Sequence, residues 1–365
     1  MIYLDNGATS FHKPPEVRRA MVQTMLRCAN PGRGGYAAAM AAAEQVYACR
    51  EIAGELFHCE PEQVVITTNC THGLNIAIRT LVTPGDTVVI SGFEHNAVTR
   101  PLYALGAHVS VAGRRLFDPI DTLESFERAL KRGAKAAVFT HASNVFGYIL
   151  PVAQMAQLCR QYNVPFIIDG AQSAGILPIN LQELGADFIA MPGHKGLLGP
   201  QGTGLLLCNR MPEPLLHGGT GSASMQQTMP DFLPDRAEAG TLNVPGIGGL
   251  TAALRYLRRT GIAPIARREQ EQMRRCVRGL QRLGFQPFTG KDQLGIVSFL
   301  PGMDCEEAAE RLAKRGIAVR AGLHCSPLAH ESAGTLTTGT VRVSFGHDAQ
   351  QWQTDQFLAA AAALR

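Results

Sequence analysis

From about residue 60 onward the chain alternates short apolar runs with amphipathic stretches. Residues 64–68, 87–91, 136–140, 165–169 and 187–191 are rich in Val, Ile, Phe or Ala, and most close on a polar residue, which predicts buried strands. Between them, residues 71–81, 123–132 and 152–162 carry helical periodicity, and Pro151 suits a helix start. Pro84-Gly85-Asp86 and Gly185-Ala186-Asp187 supply turns ahead of the following strands. Strands alternating with helices predict an α/β fold in which a mostly parallel sheet is covered by helices on both faces.

The pattern changes after residue 250. Basic amphipathic segments at 254–259 and 266–283 lead to a strand at 295–299, and residues 305–315 read as a helix. Strands follow around 317–320 and 341–345, and residues 351–364 close the chain as a helix. The expected division is a large α/β domain over residues 15–250 and a smaller α+β domain built from residues 1–14 and 251–365, with a strand at 2–4 joining the latter. A chain of 365 residues is long enough for both.

Composition narrows the class without naming a chemistry. Hydrophobic residues make up 45% and charged residues 18%, as in an ordinary globular protein. The net charge of +4 is small, and the basic residues are spread out apart from pairs such as Arg258-Arg259 and Arg274-Arg275. That argues against a nucleic-acid or acidic-membrane surface. Nine cysteines, an odd number without a C-x-x-C pair, fit a reduced cytoplasmic compartment better than a disulfide framework or a zinc knuckle. Met1-Ile2-Tyr3-Leu4-Asp5-Asn6 does not read as a signal peptide, and the small-residue runs at 37–43 and 358–364 are too short to span a bilayer.

In an open α/β sheet, ligands gather beyond the carboxyl ends of the strands. The most unusual stretches of the chain fall there. Gly193-His194-Lys195-Gly196 follows a strand and opens a glycine-rich turn. The lysine could cradle a phosphate, form a Schiff base or simply lie on the surface. No Lys-Ser or Lys-Thr pair completes a phosphate loop, whereas a Schiff-base lysine needs the desolvation and fixed approach that such a turn can offer. Asp169 closes an apolar strand one unit earlier. A carboxylate there can cap a helix or bind a metal, but it can also pair with a protonated pyridine nitrogen and so strengthen an electron sink. Thr68-Asn69-Cys70-Thr71-His72-Gly73 lies between a strand and a helix, where backbone N–H groups and the Thr71 hydroxyl can seat a phosphate. His95 could stack on a ring and shuttle a proton, or be an ordinary histidine in a capping turn.

Taken together, Asp169-Gly170-Ala171-Gln172-Ser173, Gly193-His194-Lys195, Glu94-His95 and Glu238-Ala239-Gly240-Thr241 resemble the motifs of class V, fold-type I enzymes dependent on pyridoxal 5′-phosphate. The cysteine desulfurases and selenocysteine lyases are the most similar. Tyr3-Leu4-Asp5-Asn6-Gly7-Ala8-Thr9 and Ser143-Asn144-Val145-Phe146-Gly147 extend the likeness to nearly the whole chain. The resemblance implies a Schiff base on Lys195, which also moves the Cα proton. It implies that Asp169 pairs with the ring nitrogen, that Gln172 bonds the phenolate oxygen and that His95 stacks on the ring. Thr71, His72 and His194 would bind the phosphate, and Asn144 and Arg342 the substrate carboxylate. Thr241 would reach the cofactor of a neighbouring subunit, which implies a homodimer with shared sites.

Arg320-Ala321-Gly322-Leu323-His324-Cys325-Ser326-Pro327 looks like the short arginine-to-cysteine loop of type II desulfurases. Cys325 is then the nucleophile that takes sulfur from L-cysteine as a persulfide, leaving L-alanine, with an acceptor protein to receive the sulfur or selenium. Its position between His324 and Arg342 suggests an electropositive setting. Arg320 joins the substrate-binding residues. Two positions depart from the family pattern. Pro192 stands where a serine is common, and Asn30-Pro31-Gly32-Arg33-Gly34-Gly35-Tyr36 has Gly32 and Tyr36 in an entrance segment that usually carries histidines. Selenocysteine and other β-substituted alanines stay open as substrates, as does an aminotransferase or β-lyase that forms no persulfide.

Overall fold

The computed structural model describes residues 1–32 and 34–365, so Arg33 of the entrance segment lies outside the described residues. A seven-stranded sheet runs in the spatial order Val64–Thr67, Gly204–Cys208, Phe188–Pro192, Phe166–Asp169, Ala136–Thr140, Thr87–Ser91, His108–Ala112. Gly204–Cys208 is antiparallel to both neighbours, and the remaining pairings are parallel. The five strands expected from the pattern are present, each end within one residue of expectation. The expected α/β class is the observed one.

Alternate residues of these strands feed two separate cores. Val89, Phe139, Ile168, Ile189 and Leu207 belong to one, and Val88, Val138, Ile167, Ala190 and Leu206 to the other. A strand buried on both faces reads as an unbroken apolar run, which is why these segments lack a polar alternation. Burying one such side chain contributes about 1.5–3 kcal/mol. Helices Cys70–Leu81 and Asn96–Ala104 cover one face. Ala37–Phe57, Pro119–Lys131, Val152–Tyr162 and Val244–Thr260 cover the other.

Two sheet members escape the pattern-based reading. Gly204–Cys208 is an apolar run hidden behind a glycine-rich turn, and His108–Ala112 is an edge strand whose first two residues are exposed. Helix Ala37–Phe57 is missed because eight of its residues are alanine, which blunts the contrast between its faces. Those small side chains let it pack closely on Val244–Thr260. The latter also contacts Pro15–Arg27, where a Cβ on Gly248 would come within 2.2 Å of Thr24 Oγ1.

The expected boundary at residue 250 falls inside helix Val244–Thr260, whose buried face belongs to the large core. The chain then turns at Gly261, with φ of +77°, into helix Ile262–Arg282. Beyond it, Arg320–Gly322, Thr340–Ser344, Ile296–Leu300 and Gln286–Phe288 form an antiparallel sheet in that order. The segment expected as one strand at 317–320 is two. Ile317–Ala318 pairs in parallel with the N-terminal strand Ile2–Tyr3, while Arg320–Gly322 joins the antiparallel sheet. Among the described residues, no helix is long and apolar enough to cross a membrane.

Candidate active site

Strand ends converge on a cavity of about 230 Å³ beyond the carboxyl edge of the large sheet. Its walls carry Thr71, His95, Asn144, Asp169, Gln172, His194, Lys195, Arg320, Cys325 and Arg342, ten of the twelve residues singled out in the sequence. Thr140 and Ala190 flank Asp169 in register, so the carboxylate sits at the centre of the edge. It is 2% exposed, and its Oδ1 accepts the Ala171 N–H at 2.8 Å and the Cys70 thiol at 3.4 Å. Oδ2 has no donor among the described residues.

Lys195 follows the end of strand Phe188–Pro192, in a turn that requires glycine. A Cβ on Gly193 would lie 2.1 Å from Thr203 Oγ1. Burial pushes the lysine pKa down, Asp169 and Cys70 oppose that shift, and Arg342 and Arg320 reinforce it. The backbone just before the lysine is tightly held. The His194 carbonyl accepts the Ser10 N–H at 2.9 Å, the Ser10 hydroxyl at 3.0 Å, the Thr9 hydroxyl at 3.2 Å and Lys13 Nζ at 3.0 Å. Burial lowers the Lys13 pKa to about 8. The His194 ring bonds Thr9 Oγ1 through Nδ1 at 3.0 Å. Burial, with the charges of Lys195 and Lys13, pushes its pKa to about 4, so the ring is neutral at pH 7.

Helix Cys70–Leu81 opens beside the cavity, capped by Asn69, whose Oδ1 accepts the His72 N–H at 2.9 Å. Its positive end and the exposed Thr71 hydroxyl form an anion seat. The His72 ring is turned to Thr68, accepting its N–H at 3.3 Å, and does not line the cavity as expected for a phosphate ligand. His95 caps helix Asn96–Ala104, its Nδ1 accepting the Ala97 N–H at 3.0 Å. The proton of the neutral ring therefore resides on Nε2. Burial lowers its pKa first, and the Asp169 charge partly offsets this. Gln172 Nε2 donates to the Gly7 carbonyl at 3.0 Å.

Arg320 and Arg342 stand directly opposite each other on adjacent strands. Arg342 is buried, donating to Asp5 Oδ1 at 2.6 Å and to the Asn144 carbonyl at 2.9 Å, and its Nε has no partner. Arg320 makes no ion pair among the described residues. Two guanidiniums with one paired carboxylate between them leave an excess of positive charge at the cavity, which suits an anion such as a carboxylate.

Cys325 is exposed at the cavity mouth. The expected contribution of His324 to its setting is not observed. That ring is buried with Nε2 3.2 Å from the Thr340 carbonyl, and burial, with the charges of Arg342, His330 and Arg320, drives its pKa to about 2. It is neutral, so it adds no positive charge to the cavity, whose lining still includes Arg320 and Arg342. The Asn144 amide differs from expectation too. Both of its heteroatoms are engaged by the cysteine loop instead of standing free for substrate. Thr241 is exposed and does not line the cavity of its own chain. Below it, Glu238 makes a buried two-pronged ion pair with Arg50 at 2.7 and 2.8 Å.

Sequence reasoning missed Cys70 as a partner of Asp169, Asp5 as the counter-ion of Arg342, and Lys13 under the lysine turn. Asp5 and Cys70 lie inside recognised segments, but no local pattern signals contacts spanning 337 and 99 residues.

A buried lysine facing a carboxylate, beside a helix N-terminus and under paired arginines, is a donor set that suits Schiff-base chemistry. The chain belongs to the aminotransferase class-V family, whose model matches residues 2–357. That family depends on pyridoxal 5′-phosphate, and the donors found here suit the group. Asp169 keeps one oxygen free for the ring nitrogen, Lys195 is desolvated, and Thr71 with its helix end faces the same space.

The chain is 31% identical to a probable cysteine desulfurase of Pyrococcus abyssi, over 94% of this chain and 89% of that protein. It is 32% identical to a probable cysteine desulfurase of Methanothermobacter thermautotrophicus, with the same coverage. Among solved structures, the apo cysteine desulfurase of Thermococcus onnurineus NA1 superposes with a TM-score of 0.91 at 32% identity, covering 100% of this chain and 94% of the other. Cysteine desulfurase CsdA (S-sulfonic acid) of Escherichia coli gives 0.87 at 26% identity, with the same coverage.

Proposed function

We propose that this protein is a cysteine desulfurase that converts L-cysteine to L-alanine and carries the released sulfur as a persulfide on Cys325. The observation that carries the reading is an exposed thiol at the mouth of the cavity that holds Lys195 and Asp169. When bound, the cofactor supplies an electron sink for the carbanion at the amino acid's Cα. Asp169 Oδ2 would hold the ring nitrogen, Thr71 and His194 the phosphate, and His95 the ring face. Lys195, its pKa depressed by burial, accepts the Cα proton. Arg320 and Arg342 fix the substrate carboxylate so that its side chain points at Cys325.

Cys325 then attacks the substrate sulfur as thiolate. The Cβ–S bond breaks, an S–S bond forms, and the electron pair left on carbon takes up a proton to complete the methyl group of alanine. Thiol plus cysteine becomes persulfide plus alanine, balanced without an external oxidant. The persulfide passes to an acceptor protein. Nine unpaired cysteines support a reducing, cytoplasmic setting for this chemistry.

The active unit is a homodimer with shared sites. Two helices in contact, Pro15–Arg27 and Ala37–Phe57, carry exposed Met25, Leu26, Met40 and Tyr47, an apolar area suited to a second copy. Thr241 is exposed, as a residue serving the partner's cofactor must be.

The test is alanine formation from L-cysteine and, separately, L-selenocysteine, by wild type and Cys325→Ala under reducing conditions. Alanine from both with wild type, with the cysteine reaction lost in the variant, supports the desulfurase. Alanine from selenocysteine alone, insensitive to the substitution, makes the protein a selenocysteine lyase. No alanine from either removes the sulfur assignment.

A further inference from the structure

We infer that Cys70 is a positioning residue for Asp169: its thiol and the Ala171 N–H together hold Oδ1, leaving Oδ2 for the cofactor's ring nitrogen. The inference rests on reading Asp169 as the partner of that nitrogen.

A carboxylate at a strand end turns freely about its last bond unless donors fix one oxygen. Here Oδ1 has two, the Ala171 N–H at 2.8 Å and Cys70 Sγ at 3.4 Å. Asp169 is 2% exposed and Cys70 is 8% exposed, so little water reaches the pair to replace either donor. The thiol comes from the first residue of helix Cys70–Leu81, the helix whose start forms the anion seat. One residue therefore ties the phosphate end of the site to the ring end. If Asp169 rotated, its free oxygen would leave the cavity and the ring nitrogen would lose its anion.

Cys70 and Cys325 line one cavity yet suit opposite tasks. Burial and the neighbouring Asp169 charge keep the Cys70 thiol protonated, with only Lys195 acting the other way. A protonated, enclosed thiol is a donor and a poor nucleophile. Cys325 is exposed and free to accept sulfur.

Serine at position 70 would keep a donor while being close to alanine in size, which separates hydrogen bonding from packing. The experiment reconstitutes the apo forms of wild type, Cys70→Ala, Cys70→Ser and Asp169→Asn with pyridoxal 5′-phosphate. It measures the cofactor dissociation constant and the pH at which the bound cofactor's absorption band turns over. Cys70→Ala is expected to weaken binding about three- to tenfold and to move that pH, and Cys70→Ser to restore both close to wild type. If Cys70→Ala fails to fold, Cys70→Val, which fills the site with a slightly larger side chain that has no donor, is expected to show the same loss while Cys70→Ser does not. Alanine equal to wild type, or serine as impaired as alanine, overturns the inference. Asp169→Asn separates the two claims. If it leaves both readouts unchanged, the reading of Asp169 falls and this inference with it. If it abolishes them while Cys70→Ala changes nothing, only the role of Cys70 falls.

Discussion

Asn144 clasps both neighbours of Cys325, its Nδ2 donating to the His324 carbonyl at 2.8 Å and its Oδ1 accepting the Ser326 hydroxyl at 2.6 Å. The Asn96 N–H adds a bond to the Cys325 carbonyl at 2.8 Å. These contacts hold His324 and Cys325 in the left-handed region, with φ of +50° and +58°. Such a conformation costs about 1–2 kcal/mol per residue that is not glycine. Without the clasp the loop would relax and the thiol would leave its place at the cavity mouth. Asn144→Ala is therefore expected to lower kcat for alanine formation about tenfold, equivalent to about 1.4 kcal/mol. The absorbance of the bound cofactor should not change. Steady-state kinetics and a spectrum of the same sample check both parts.

Arg320 has no anionic partner among the described residues, whereas Arg342 is already paired with Asp5. The substrate carboxylate should consequently depend on Arg320 for binding more than for chemistry. Arg320→Gln is expected to raise KM for L-cysteine about tenfold, the loss of one hydrogen bond to a charged group. A change in kcat alone, at constant KM, would place Arg320 elsewhere in the mechanism.

The Arg50–Glu238 pair is 8% and 6% exposed at its side chains and also receives the Ile66 N–H. Removing one partner strands a buried charge, so Glu238→Ala should cost about 3–5 kcal/mol in denaturant unfolding. The segment carrying Thr241 follows directly, so on the proposed shared-site reading cofactor retention should fall as well.

Glu269 is buried near the lysine turn, and burial, reinforced by the Asp348 charge, lifts its pKa to about 8. Its folded pKa exceeds the usual value, so the folded state holds the extra proton. Its contribution to stability is full below about pH 4.5 and is lost as pH rises through about 8. Glu269→Gln imitates the protonated form, so the variant's Tm should fall less than that of wild type between pH 5 and pH 8. Parallel melting curves across that range test the sign.

The elements most legible in the sequence are those where one physical demand acts alone. A strand buried on both faces must be apolar throughout, so Ala136–Thr140 and Phe166–Asp169 stand out and locate Asp169. Lys195 is legible because its turn needs Gly193 for closeness. Where two demands compete, the pattern fades. Helix Ala37–Phe57 trades hydrophobic contrast for close packing, and strand Gly204–Cys208 hides behind the turn that serves Lys195. The site's long-range contacts leave no local trace. Nothing around Asn144 announces that its amide serves a loop 180 residues away, and nothing beside His324 reveals that burial keeps it neutral.

On the proposed reading Cys325 receives the sulfur. The most direct measurement is a single turnover of the holoenzyme with L-cysteine in the absence of reductant, followed by mass spectrometry of the proteolytic peptides. One added sulfur atom is expected on the peptide containing Cys325, formed in step with one alanine per site. Alanine released with no sulfur on Cys325, or with the sulfur on another cysteine, would contradict it.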